Sequence, residues 1–199
     1  MFVKICGLST AVDVAAAVAA GADALGFVLT ESPRRVEPGL ARELVATVPE
    51  EVLTVAVFRE EPAEYVRAAV RAAGVRAVQL HGNHPAGAFA ELSDLGLPLI
   101  RATSAANAAG ADCGDFGEDL LLLDAPVPGD GDPWDWAELG TRPPAGKWLL
   151  AGGLGPANVR EAVAAANPWG VDVSSGVEVR RGVKDPDLIT EFVHAAKSR

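Results

Sequence analysis

Short apolar runs alternate with alanine-rich amphipathic stretches along the chain, and the alternation occurs eight times. The runs predict strands over residues 2–7, 24–29, 53–58, 77–82, 98–103, 119–124, 148–153 and 170–175. Each is apolar nearly throughout, as suits parallel strands covered on both faces. The stretches between them carry one buried stripe each. Ala41, Leu44, Val45 and Val48 fall at i, i+3, i+4, i+7, and so do Val66, Ala69, Val70 and Ala73. Val159, Ala162, Val163 and Ala166 repeat this spacing, as do Ile189, Phe192, Val193 and Ala196.

The boundaries of the helices are marked as well. Pro38, Pro62, Pro85, Pro156 and Pro186 are placed where a first helical residue needs no N–H. Gly21, Gly74 and Gly96 stand where a left-handed residue would end a helix before a strand. The fifth and sixth units are the least regular, being interrupted by Gly110, Gly114 and Gly117. Strict strand-helix alternation predicts a parallel sheet, and eight units predict closure into a (βα)₈ barrel. An open doubly wound sheet is the alternative, weakened by the absence of Gly-x-Gly-x-x-Gly after the first strand. No linker interrupts the pattern, so one barrel domain is expected over residues 1–199.

Composition narrows the partners. At 49% hydrophobic and 22% charged residues the chain reads as an ordinary globular protein. Its net charge of −10 disfavours nucleic acid and anionic membranes, both of which need a basic face. An anionic substrate then requires a locally basic or N–H-rich pocket. No secretory leader or 18-residue apolar run is visible. Two cysteines, Cys6 and Cys113, make neither a disulfide framework nor a zinc cluster, so a reduced cytosolic protein is expected. Neither a metal nor a cofactor is called for, and the oligomeric state is left as monomer or homodimer.

In such barrels chemistry sits at the C-terminal ends of the strands. Side chains alternate along a strand, so Lys4 and Cys6 point inward if Val3 and Ile5 pack under the helices. By the same parity Gln79 and His81 face in, as do Asp172 and Ser174. Cys6 alone reads as small buried filler, and His81 alone as a satisfied core histidine. Asp124 is different, because a carboxylate that ends the run Leu120-Leu121-Leu122-Leu123 is costly unless paired, solvated or functional. A cap on the turn Pro126-Val127-Pro128-Gly129 is its plainer explanation. A thiol and a carboxyl in one barrel mouth would form a proton-transfer pair.

The loops after the seventh and eighth strands point to phosphate. Gly152-Gly153-Leu154-Gly155-Pro156 offers backbone N–H groups to an anion, and Ser174-Ser175-Gly176 adds two hydroxyls and room for a short helix. Arg34 and Arg35 form an adjacent cationic pair, either solvated or set to clamp a carboxylate.

With these residues in view, the chain resembles the N-(5′-phosphoribosyl)anthranilate isomerases of tryptophan biosynthesis. The resemblance rests on Lys4-Ile5-Cys6-Gly7, Gly21-Ala22-Asp23-Ala24-Leu25-Gly26-Phe27, Ser32-Pro33-Arg34-Arg35-Val36 and Val78-Gln79-Leu80-His81-Gly82. It continues through Leu122-Leu123-Asp124, Trp134-Asp135-Trp136, Gly152-Gly153-Leu154 and Val171-Asp172-Val173-Ser174-Ser175-Gly176-Val177-Glu178. It implies a cofactor-free Amadori rearrangement of a small phosphorylated substrate, an aminoaldose phosphate becoming an aminoketose phosphate. By that resemblance Asp124 is the general acid and Cys6 the general base. Arg34, Gln79, His81 and Asp172 bind substrate, Arg34 through its carboxylate, and Gly152, Gly153, Ser174, Ser175 and Gly176 hold the phosphate. A thiol of pKa about 8.5 would need a modest downward shift to serve as the base. Cys113, between Asp112 and Asp115, should instead be a poor thiolate.

Two stretches depart from the family pattern. Pro128-Gly129-Asp130-Gly131 and Trp134 replace a Gly-Gly-Thr/Ser-Gly loop and a Phe-Asp-Trp element, and Arg181-Gly182-Val183-Lys184-Asp185 stands for Pro-Gly-x-Lys-Asp. The rival readings are the related histidine-pathway isomerase, a dual-substrate isomerase, and a catalytically silent phosphate-binding barrel. The histidine-pathway enzymes carry aspartate where this chain has Cys6.

Overall fold

The computed structural model describes residues 1–107, 110–125, 136, 139 and 141–198. Eight parallel strands close into a barrel, each hydrogen-bonded to the next and β8 returning to β1. They are β1 Phe2–Cys6, β2 Ala24–Val28, β3 Leu53–Phe58, β4 Ala77–His81, β5 Leu99–Ser104, β6 Leu120–Asp124, β7 Trp148–Leu150 and β8 Gly170–Val173. A two-stranded ribbon follows β8, formed by β9 (Glu178–Arg180) and β10 (Val183–Lys184). The expected strand starts are met within one residue. The ends of the seventh and eighth strands fall short of expectation: after β7, Gly152 and Gly153 turn to φ +83° and +65°, which no strand adopts, and after β8 the chain enters a 3₁₀ turn over Ser175–Val177.

The described helices are α1 Ala11–Ala20, α2 Pro38–Val45, α3 Ala63–Ala73, α4 Ala86–Leu92, α5 Val159–Ala166 and α6 Pro186–Lys197. Pro38 and Pro186 open their helices as expected. Pro62 and Pro85 stand one position earlier, at the cap, and Pro156 lies in the turn before the cap Asn158. Gly21, Gly74 and Gly96 all take the left-handed ending. Among the described residues between β5 and β6, the one helical element is a 3₁₀ turn, Ala105–Asn107, consistent with the irregular pattern there. Most of the stretch after β6, including the 126–135 segment with its altered loop, lies outside the described residues.

The strand parity divides the core into two layers. Val3, Ile5, Leu25, Phe27, Leu121 and Leu123 pack outward against the helices, where Phe192 and Val193 of α6 are fully buried. The barrel's interior is lined by Cys6, Val55, Val57, Ile100, Leu120 and Leu122. Burying both faces of every strand is what its near-continuous apolar run allows. No described helix is long and apolar enough to cross a membrane.

Candidate active site

The inward parity of β1 puts two polar side chains in the barrel. Lys4 is wholly buried, and its Nζ donates to Asp172 Oδ1 of β8 at 2.7 Å. An ammonium this deep must be paired to remain charged. The Cys6 thiol lies just above, within hydrogen-bonding reach of the same ammonium. Room for the thiol comes from Gly26 on the neighbouring strand, since a Cβ there would stand 2.8 Å from Cys6 Sγ.

On the far side, β6 ends in Asp124, whose Oδ1 accepts from the Ala125 N–H at 2.8 Å. His81, ending β4, brings Nε2 to 3.8 Å from Asp124 Oδ2. Gln79 is buried beneath it, and its Oε1 has no hydrogen-bond partner among the described residues. Gln79 lines a cavity of about 340 Å³, within the range of small-molecule sites. Cys6, Arg34, Gln79, His81, Asp124 and Asp172 all line it, together with Gly152, Gly153, Ser174 and Ser175.

Burial dominates the titration of this pocket. It raises the Asp124 carboxyl above its ordinary pKa, with help from nearby Asp172, which suits a group that must hold a proton. It drives His81 down to about 4, and Arg59 pushes the same way, so the imidazole is neutral near pH 7. Burial also raises Cys6, and the Lys4 and Lys184 ammoniums offset this only in part. The thiol is therefore shifted up and not, as a base near neutrality would need, modestly down, so its thiolate is the minor form at neutral pH. Cys113 is raised as expected, though by burial first and Glu118 next rather than by Asp112 and Asp115.

The two loops after β7 and β8 meet at the cavity. Gly152 is forced by contact as well as by φ, because a Cβ would stand 2.3 Å from the Ala125 nitrogen. Gly176 lies against the Leu154 carbonyl, which a Cβ would approach to 1.8 Å. Gly176 thus lets the loops close together and is not on the cavity wall. A single 3₁₀ turn, Ser175–Val177, begins there. No described residue accepts from the backbone N–H of Gly152, Gly153, Ser175 or Gly176. Ser174 departs from expectation in one respect. Its hydroxyl donates to the Cys6 carbonyl at 3.1 Å and accepts from Lys184 Nζ at 3.2 Å, so its proton is committed below the loop.

Arg34 departs too, for its guanidinium is not free. Nε and Nη2 donate to Glu178 Oε1 and Oε2 at 2.6 and 3.0 Å, leaving the remaining N–H bonds for a ligand. Arg35 pairs with Glu31 and Glu37 at the surface, as its solvated reading requires. Glu178 and Lys184 stand inside recognised motifs yet carried no signal of their own role, since their pairing appears only when β9 and β10 fold back. Arg59 and Arg181 also line the cavity; a lone arginine after a strand gives sequence reasoning nothing to hold.

Comparison with known proteins agrees with this geometry over nearly the whole chain. The family described as N-(5′-phosphoribosyl)anthranilate (PRA) isomerase matches residues 3–195. A protein of that name from Paracoccus denitrificans is 43% identical, with 98% of this chain and 96% of the relative covered. The crystal structure of TrpF from Jonesia denitrificans superposes with a TM-score of 0.91 at 45% identity, covering 99% of this chain and 97% of the other. A phosphoribosyl anthranilate isomerase in complex with reduced 1-(o-carboxyphenylamino)-1-deoxyribulose 5-phosphate superposes at 0.86 with 34% identity, covering 99% and 98%.

Proposed function

Because the chain belongs to the N-(5′-phosphoribosyl)anthranilate isomerase family, we propose that its pocket converts phosphoribosylanthranilate into the carboxyphenylamino-deoxyribulose phosphate, with Asp124 and Cys6 moving the protons. The observation that carries the division of labour is their placement. A carboxyl raised by burial and a thiol beside a buried ammonium face one cavity from β6 and β1. Asp124 donates to the ribose ring oxygen, the C1′–O bond opens, and the anthranilate nitrogen's lone pair forms the Schiff base. The Cys6 thiolate then removes the C2′ proton, and those electrons shift to give the enolamine. Proton return to C1′ leaves a ketone at C2′. The oxidation of C2′ is matched by the reduction of C1′, so no external electron acceptor is needed.

The other groups bind. Arg34 takes the anthranilate carboxylate with the N–H bonds that Glu178 leaves. Gln79, neutral His81 and Asp172 line the part of the cavity where the sugar and its reacting carbons bind. The phosphate lies on the N–H groups of Gly152, Gly153 and Ser175, with Gly176 letting the two loops close and Ser174 supporting the loop from below. A reducing cytosol suits an enzyme whose base is a thiol. Cys6 at the end of β1 disfavours the histidine-pathway reading, and the paired acid and base disfavour a silent barrel.

Loss of substrate fluorescence on adding the purified protein tests the reaction directly; an unchanged signal overturns it. Activity is expected to survive exhaustive chelation without added nucleotide or flavin, since every step is a proton transfer and the described residues hold no cluster of metal-ligand spacing. Recovery only on adding a divalent metal would reverse this. Gly176→Ala, by wedging the two loops apart, is expected to weaken binding of the phosphorylated product analogue by about tenfold or more, the scale of an overpacked contact. Unchanged affinity would remove the loop closure from the phosphate site.

A further inference from the structure

The pair of Arg34 with Glu178 poses an electrostatic problem for a site that must attract a carboxylate. A guanidinium bonded bidentately to a carboxylate is locally neutral, and the Glu178 oxygens would repel a second carboxylate brought alongside. The gain from the pair is orientation. Held through Nε and Nη2, the guanidinium plane cannot sample the rotamers of a free arginine, so less entropy is lost when a ligand binds.

Lys184 of β10 completes the arrangement. Its Nζ donates to Glu178 Oε1 at 2.8 Å, to the Ser174 carbonyl at 2.8 Å and to Ser174 Oγ at 3.2 Å. Three acceptors for three N–H bonds define an ammonium with no donor left for a ligand. Its side chain is fully out of solvent. The remaining bond to Glu178 comes from the Gly182 N–H at 3.1 Å. The three charges are Arg34 positive, Glu178 negative and Lys184 positive, so the cluster as a whole retains one positive charge.

We propose that Lys184 is a positioning residue for substrate specificity: by neutralising Glu178, it lets that carboxylate fix the Arg34 guanidinium while the site stays cationic toward the substrate's carboxylate. Lys184 touches no substrate atom and acts through Glu178 and Arg34. The inference rests on the reading of Arg34 as the carboxylate's partner.

The test compares two ligands, the reduced carboxyphenylamino-deoxyribulose phosphate and the same compound without its carboxylate, by calorimetric titration. The wild-type protein should prefer the carboxylated ligand. Lys184→Met should weaken that ligand by about tenfold, as expected for a lost unit charge several ångströms away in a partly screened pocket, and leave the other within about twofold. A purely structural role would weaken both equally, and that result overturns the proposal. The double variant Lys184→Met/Glu178→Gln removes the uncompensated carboxylate along with the lysine, and it should regain most of the preference. It also keeps the question decidable if the single variant does not fold, and loss of the preference in a folded double variant refutes the charge argument. Arg34→Met is the reference. If it loses the preference while Lys184→Met keeps it, only the inference falls. If Arg34→Met keeps it, the reading of Arg34 falls and takes the inference with it.

Discussion

Asp124→Asn is expected to lower kcat by about 10²–10⁴, roughly 3–5 kcal/mol of barrier, while the product analogue binds almost as before. Asparagine preserves the shape and can still accept from the Ala125 N–H, but it has no proton to give the ring oxygen. The pH dependence gives a second signature. The raised Cys6 thiol titrates above the Asp124 carboxyl, so the active form holds the carboxyl protonated and the thiol ionised. As pH rises between the two values, the protonated carboxyl declines as fast as the thiolate grows, and their product stays level. The wild-type kcat/KM should therefore show a broad plateau. It should fall below the Asp124 pKa, where thiolate is still lost without further gain of acid, and above the Cys6 pKa. In Asp124→Asn only the thiolate fraction matters, so the residual rate should climb by about tenfold per pH unit through neutrality. An unchanged kcat, or a residual rate that stays level with pH, removes Asp124 from the acid role.

The barrel was legible because its signal is repeated: eight apolar runs, four striped helices and left-handed glycines before strands constrain one another. The inward set Lys4, Cys6, Gln79, His81 and Asp172 followed from strand parity alone, since a closed sheet leaves only two directions for a side chain. What stayed hidden are pairings between distant positions. Nothing in the spacing of Arg34 and Glu178, or of Glu178 and Lys184, requires them to meet. That contact depends on how the β9–β10 ribbon folds against the loop after β2, where Gly182 packs on the Pro33 carbonyl. The direction of the Cys6 shift was missed for a related reason. A sequence shows that a lysine stands two residues away, but the balance between its charge, the desolvation of the thiol and the competing Asp172 is a property of the packed interior. Ser174 shows the same limit at hydroxyl scale, since only the fold reveals that its proton goes to the Cys6 carbonyl.

The two cysteines should be separated by ligand protection rather than by pH. Both thiols are raised, so iodoacetamide should react slowly with each at neutral pH and faster as the pH is increased. Their surroundings differ. Cys6 is on the cavity wall, whereas Cys113 packs near Gly146 and does not line that cavity. Alkylation is therefore expected to abolish turnover through Cys6, and saturating product analogue should protect that residue while leaving Cys113 as reactive as before. Peptide mapping of the labelled protein distinguishes the two sites. Cys113→Ser should stay fully active and remain equally sensitive to the reagent. Cys6→Ser should lose nearly all activity before any reagent is added, because a hydroxyl is far too weakly acidic to supply an anionic base in place of the thiolate. Its barrel should melt close to the wild type, since a hydroxyl fits the space that Gly26 leaves and can accept from the Lys4 ammonium. Turnover that survives complete alkylation of Cys6, or that disappears in Cys113→Ser alone, would mean that the C2′ proton is taken by another group.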